Sequence, residues 1–380
     1  MVDTTVKVVK IARTVEFGND FNDFDDFNDF IQHPEMRLGG KEYRIRTGLT
    51  IFLAISTISA MVLFYLGVDR GTWASLKRIR LEYGLLAGVS MVIYWCLNGL
   101  RFQILVKGLG ENVSFWNSFR AFVANLFLGA VTPFQTGGGP LQIYILSRAG
   151  VPLAKAFSAC LVGAMLTILS LVSSTLLILL FKRDLGLKFG QLMSAIFSLV
   201  SFLFLFALVL FILSIFKMKT IKQIIGKCLN FLTRGRPLIT ERVMRGLDQY
   251  SECMSIYARA RKRAVVMAGL LTMASIAMLS LAAPMILAGL NVQQAASQVF
   301  LIQFILNFIV YFSPTPGGSG IAEFSSYWMM TSATAGHNML EIYTLIWRFF
   351  TNFIGVGLGG LITLTLFRKG KQRAENILDF

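Results

Sequence analysis

Only two histidines occur in the 380 residues, His33 and His337, and no aspartate falls within a confidently assigned apolar span. Ser/His/Asp and Cys/His catalytic sets cannot be assembled from such a sequence. The four cysteines (Cys96, Cys160, Cys228 and Cys253) are scattered without a CxxC or Cys/His grouping. That spacing supports neither a disulfide framework nor a zinc site. Walker and dinucleotide fingerprints are missing as well, so ATP-driven pumping by this chain alone is unsupported. The expectation is a protein that is not an enzyme and holds no cofactor and no metal. No cleavable signal peptide is visible, because the first long apolar run starts near Leu49 behind a polar tail.

Charge is scarce too. Charged residues make up 15% of the chain against 55% hydrophobic residues, and Phe alone occupies 33 positions. Several apolar runs reach the roughly 20 residues needed to cross a hydrocarbon core of about 30 Å. The class is an all-α polytopic membrane protein. Its formal charge of +16 does not point to nucleic acid. The basic residues flank apolar runs or cluster in one loop, which fixes orientation and attracts anionic lipid.

Residues 1–46 form a polar tail in which Phe17, Phe21, Phe24, Phe27 and Phe30 recur at helical spacing opposite Asp and Asn. This reads as an amphipathic segment docked on the protein's own basic face or on a partner, or as a partly disordered tail; the Asp spacing lacks the Gly and Glu of an EF-hand. Full spans are expected at 48–67, 83–106, 153–181, 190–216, 264–289 and 341–367. The first membrane half is 47–216 and the second 263–367. Between them, 217–262 carries eleven Lys and Arg residues, with Arg263 just beyond, and reads as basic amphipathic cytoplasmic helices broken at Arg236-Pro237. With the basic tail 368–380, the Lys/Arg bias places both termini in the cytoplasm. Lys77, Arg78 and Arg80 in the external loop 68–82 run against that bias.

Two apolar regions, 116–149 and 294–334, are interrupted by Pro133-Phe-Gln-Thr-Gly137-Gly138-Gly139-Pro140 and by Pro314-Thr-Pro316-Gly317-Gly318-Ser-Gly320. Unpaired backbone groups cost several kcal/mol each in lipid, so broken backbone at that depth must be buried in protein or line a cavity. Each region is expected to be a pair of partial helices. The topology sends them in from opposite faces, as re-entrant hairpins of an inverted repeat. Both breaks have Phe six residues before the Pro (Phe127, Phe308) and a hydroxyl just before it (Thr132, Ser313).

A Gly-Gly turn opening a half-helix offers backbone N–H groups and a positive dipole end, which favour an anion such as phosphate. The competing reading is that small residues simply let helices pack closely. Polar residues near the breaks are Asn98, Arg101, Asn125, Gln135, Gln142, Gln303, Asn307, Glu323, Arg348 and Asn352. Ionisable residues at depth point to function by default. Arg101 and Arg348 have a plainer alternative, snorkelling from near helix ends, and Glu323 another, capping its own half-helix.

With these residues in view, the chain resembles the flippase-like membrane domain of lysylphosphatidylglycerol synthases, a family that also occurs as stand-alone membrane proteins. The resemblance covers about 45–370. Pro316-Gly317-Gly318-Ser-Gly320-Ile-Ala-Glu323 is similar to the family's Pro-Gly-Gly-x-Gly-x-x-Glu pattern. Arg348 falls where the family usually has an Arg in its last helix, and Arg101-Phe102 looks like its Arg-aromatic step. The first break departs: relatives commonly have Gly-Gly-Asp and a basic residue, and often a Glu-Arg pair in the next helix. Here Gly137-Gly138-Gly139-Pro140-Leu-Gln142 precedes a wholly apolar 156–181, which resembles a stand-alone subgroup. The chain stops at Phe380, with no room for a soluble aminoacyl-transferase domain.

The resemblance implies lipid translocation without synthase activity, in a bacterial-type cytoplasmic (inner) membrane. Backbone N–H groups at Gly137–Gly139 and Gly317–Gly320, with Gln142, Arg101 and Arg348, are expected to hold a headgroup phosphate. Pro133, Pro140, Pro314 and Pro316 shape the hairpins, and Glu323 fixes the second one or binds an amine. The expected partners are membrane lipids with an anionic or phosphate-containing headgroup, and the chain is compatible with a homo-oligomer. Two rivals stay open: a secondary transporter of a small soluble anion, and a non-transporting scaffold that recruits a partner through its tail.

Overall fold

The computed structural model describes residues 35–38, 41–67, 80–181, 202, 248–257, 261–331, 333–334 and 339–378. The Phe/Asp-rich tail segment, the span expected at 190–216 and most of the basic segment 217–262 lie outside the described residues. One feature was not anticipated: β1 (Glu35–Leu38) pairs antiparallel with β2 (Lys41–Arg44). Gly39-Gly40 joins them in sequence, the residue type that a two-residue hairpin loop favours. Everything else described is helical or a connection between helices.

The helices are α1 (Ile45–Gly67), α2 (Leu81–Gly108), α3 (Phe115–Val131), α4 (Gly138–Arg148), α5 (Leu153–Phe181), α6 (Lys262–Gly289), α7 (Ala296–Tyr311), α8 (Ile321–Met330), α9 (Leu340–Arg348) and α10 (Ile354–Leu378). Among them α2, α5, α6 and the continuous run Leu340–Leu366 are long and apolar enough to cross a membrane. Their bounds fall within about two residues of the expected spans, because these runs of leucine, alanine and phenylalanine end where charge or glycine begins. A π-helical turn at Phe349–Phe353 joins α9 to α10.

The centre of the molecule is α2 against α6, packed antiparallel over their length. At one end Arg80 N–H donates to Gly289 O at 3.0 Å. At the other, a Cβ on Gly108 would lie 3.0 Å from that of Ala264, a tight approach that glycine avoids. Tyr257 locks the same end, its hydroxyl donating to Leu105 O at 2.7 Å. Burial pushes that phenol's pKa up, which keeps it a donor.

Around this pair the other helices are exchanged between halves. α3 packs on α10 and α7 on α5, while α3 also meets α2 and α7 meets α6. One contiguous core runs through α2, α3, α5, α6, α7 and α9. Helix α1 stands apart, anchored by a separate small cluster of Phe52, Ala130 and Val356.

The α3–α10 crossing depends on Gly359, where a Cβ would run into Val123 O and the Phe127 side chain. Overpacking of this kind typically costs about 1–3 kcal/mol. Gly359→Val is therefore expected to lower the thermal midpoint of the detergent-solubilised protein by several degrees, while Gly357→Ala, where nothing lies within 4 Å of the added carbon, leaves it unchanged.

Candidate functional site

Each interrupted region folds as two helices joined by a tight turn, α3–α4 around a 3-10 turn at Pro133–Gln135 and α7–α8 around one at Pro316–Gly318. The two turns pack against each other. A Cβ on Gly317 would lie 3.3 Å from Ala130 O and 2.6 Å from the Phe52 ring. Gly317, Gly318 and Gly320 all have positive φ (61°, 69° and 81°). That conformation favours glycine, and the Phe52 contact excludes any side chain at Gly317.

The second turn is held by charge. Arg348 Nε donates to Glu323 Oε1 at 2.8 Å and Nη2 donates to Gly317 O at 2.9 Å. The other carboxylate oxygen, Glu323 Oε2, accepts from Gly320 N–H at 2.6 Å. Oriented with its oxygen toward the guanidinium, Asn352 accepts from Nη1 and Nη2 at 3.0 and 2.9 Å. That orientation is chosen because the alternative faces donor to donor. Both side chains are buried, at 3% exposure each. Arg348 therefore does not snorkel, and Glu323 caps α8, as one of its sequence readings had it, while also binding the arginine. Gly318 N–H bonds to Thr315 O at 3.0 Å and Ser319 N–H to Pro316 O at 3.1 Å.

The first turn is held without ions. Thr132 Oγ1 donates to Leu128 O at 2.8 Å and accepts from Gly137 N–H at 2.9 Å. Asn125 donates to Gln142 Oε1 at 3.2 Å, and Asn125 also fills the space where a Gly138 side chain would stand. Gln142 is buried and its Nε2 has no partner. Phe134 and Gln135 carry positive φ, 52° and 55°. Gly139 is half-buried, with open space around it, and Pro140 and Pro314 are exposed.

The glycine N–H groups thus serve the turns themselves: those of Gly137, Gly318 and Gly320 already have partners inside the chain. The hydroxyl before each proline, visible in the sequence, has a common task. Thr132 accepts from Gly137 N–H, and Ser313 Oγ accepts from Thr315 N–H at 3.4 Å. Two contributors were not foreseen: Phe52, and Ser56, whose hydroxyl lies 2.8 Å from Ser319 Oγ. Nothing in the local pattern of α1 marks them, since the contact spans more than 260 residues.

Arg101 belongs to neither turn. It is 4% exposed, so it too fails to snorkel, and sits about 10 Å along α2 from its Gly108 end by helical rise. Nη1 donates to Thr167 Oγ1 at 2.8 Å and to Thr272 Oγ1 at 3.2 Å, and the guanidinium lies 4.6 Å from the Phe102 ring centroid. Nε has no partner. Tyr94, Tyr311 and Cys160 are the groups near enough to feel its charge. Among the described residues no carboxylate pairs with it. Tyr311 ends α7 just before the second turn, so the charge of Arg101 reaches the helix that leads into that turn while its hydrogen bonds lie outside the turn's network.

Long apolar helices around paired broken ones define a multi-pass helical membrane protein. Residues 50–359 match the family described as the lysylphosphatidylglycerol synthase TM region, and the chain belongs to that family. It is also similar to a UPF0104 membrane protein of Archaeoglobus fulgidus, with 25% identity over 326 residues, spanning 83% of this chain and 94% of that protein.

Removing one member of a buried ion pair typically costs about 3–5 kcal/mol, because the other charge is left uncompensated. Glu323→Ala and Arg348→Ala are each expected to lower thermal stability in detergent steeply. The double substitution Glu323→Leu/Arg348→Met should recover part of that loss; equal stability of all three variants and the parent would contradict the pairing.

Proposed function

We propose that this protein moves a phosphate-bearing amphipathic lipid between the leaflets of a bacterial-type cytoplasmic membrane. The observation that carries the reading is Arg101, a buried guanidinium with an unbonded Nε and no carboxylate partner among the described residues. Burying a charge without a counter-charge is costly. An anionic headgroup passing beside the second turn supplies the missing charge. Arg348 cannot play that part, being saturated by Glu323, Gly317 and Asn352. In this reading Arg101 meets the substrate, while Gly317, Gly318, Gly320, Glu323 and Arg348 hold the passage in shape. Gln142, with its free Nε2, is the polar contact offered beside the first turn, and Gly139 leaves open space there.

The two broken helices are read as re-entrant hairpins of an inverted repeat. Support comes from the exchange of neighbours about the α2–α6 pair, with α3 on α10 and α7 on α5. The termini are read as cytoplasmic. Lys107, Arg148, Lys155, Arg261, Lys262 and Arg263 all lie at the Gly108/Ala264 end of the helices, as positive-inside topology requires. Access from lipid is assigned to α1. It covers the turns with Phe52 and Ser56 and otherwise presents Leu53, Ile58, Met61, Val62 and Tyr65 outward.

The test is translocation of a headgroup-labelled phospholipid in liposomes reconstituted with the full-length protein. Arg101→Ala should slow translocation at least tenfold, and Arg101→Lys should keep part of the rate. Thermal stability in detergent should not fall in Arg101→Ala, because deleting an unpaired buried charge removes a cost. An unchanged rate, or a steep loss of stability showing a structural role, would overturn the assignment. A Ser56→Cys/Ser319→Cys pair, once oxidised, should halt translocation reversibly if α1 must move.

A further inference from the structure

A pocket of about 580 Å³ opens where α2 ends and α6 begins, lined by Ile104, Lys107, Gly108, Arg261, Lys262, Arg263 and Ala264. We infer that this pocket binds the headgroup of an anionic phospholipid at the membrane surface, a second lipid site separate from Arg101. It rests on the membrane reading above, but not on translocation.

Three observations meet here. Four of the seven lining residues are cations, all exposed, and among the described residues none is paired with a carboxylate. The ion pair of Lys155 with Glu111 at 2.6 Å uses other residues. Next, the cations crowd the wrong pole of a helix. Arg261, Lys262 and Arg263 stand at the N-terminus of the 28-residue α6, which has no acidic residue in its first turn and no side-chain cap. The positive end of a helix dipole disfavours cations and welcomes an anion, so this arrangement is relieved by an external negative charge.

The remaining lining separates lipid from a free anion. Ile104, Gly108 and Ala264 form an apolar floor at the shared end of two membrane-length helices, α2 and α6. That is the level at which headgroup meets acyl chain. Trp116, on the first turn of the next helix, is 63% exposed at the same end, and tryptophan concentrates at that depth. A phosphodiester with glycerol and chain beneath it matches both the charged rim and the apolar floor; inorganic phosphate matches only the rim.

The experiment uses the full-length protein in a neutral detergent, with short-chain phosphatidylglycerol, short-chain phosphatidylcholine and inorganic phosphate as probes, read by native mass spectrometry. Phosphatidylglycerol is expected to bind best, with affinity falling as salt rises. Lys107→Gln/Arg263→Gln should weaken it at least tenfold without changing the melting temperature. Arg120→Gln, an exposed cation near the same surface but outside the pocket, should bind as the parent does. Equal loss in Arg120→Gln would mean diffuse attraction to a basic face and overturn the pocket. Equal binding of inorganic phosphate would overturn the lipid assignment. Translocation by Lys107→Gln/Arg263→Gln is read in parallel in liposomes and should persist, so failure of the transport reading and failure of this site remain separable.

Discussion

The ion pair between Arg348 and Glu323 is the contact on which the middle of the molecule depends. Breaking a helix in an apolar setting strands a carbonyl at one side of the turn and an amide at the other. Here the stranded groups are Gly317 C=O and Gly320 N–H, and the pair meets both. The surface so fixed is what its neighbours rest on. Phe52 fits the hollow at Gly317, Ser56 bonds Ser319, and Ala130 near the end of α3 lies against the same glycine. Buried pairs of this kind are weak stabilisers compared with an apolar substitute. Their value here is geometric: one charge neutralises the other and both satisfy broken backbone.

The two buried arginines then divide into different roles. Arg348 has a carboxylate, a carbonyl and an amide oxygen around it and adds no net charge to its surroundings. Arg101 has two threonine hydroxyls, the face of an aromatic ring and one unbonded nitrogen. Hydroxyls are dipoles and leave the unit charge in place. Residue type and burial are alike at the two positions, so the difference in partners is what separates a brace from a candidate contact for an anion.

Much of this was legible in the sequence. The apolar runs gave their helices to within about two residues at α2, α5 and α6, since long leucine-rich segments bounded by charge leave little choice. The glycine-proline interruptions marked both turns, and Glu323 and Arg348 were singled out, although their pairing was not read. Other features were not accessible. The cover supplied by Phe52 and Ser56 joins residues far apart in the chain, and α1 reads locally as any apolar helix. Nor does a glycine-rich turn announce who takes its N–H groups. Thr132, Thr315 and Glu323 satisfy Gly137, Gly318 and Gly320 from within, which moved the site's chemistry from backbone to side chain. The β1–β2 hairpin was missed because Gly39-Gly40 lies among charged residues without an alternating apolar pattern.

The two turns also differ in how firmly they are set. The second uses glycine at every positive φ and an ion pair across its ends. The first places Phe134 and Gln135 in the left-handed region, where a non-glycine residue costs about 1–3 kcal/mol, and is held by the Thr132 hydroxyl, the Asn125–Gln142 bond and backbone bonds across the turn, with no ion pair among the described residues. The Phe134 side chain is 60% exposed, so little packing offsets that cost. Any rearrangement between the turns therefore meets less resistance at the first, which gains by relaxing, than at the second, which would have to expose two charges. Helix α1, which packs on α3 and α9 and meets the second turn through Phe52 and Ser56, lies over the seam between these two unequal turns.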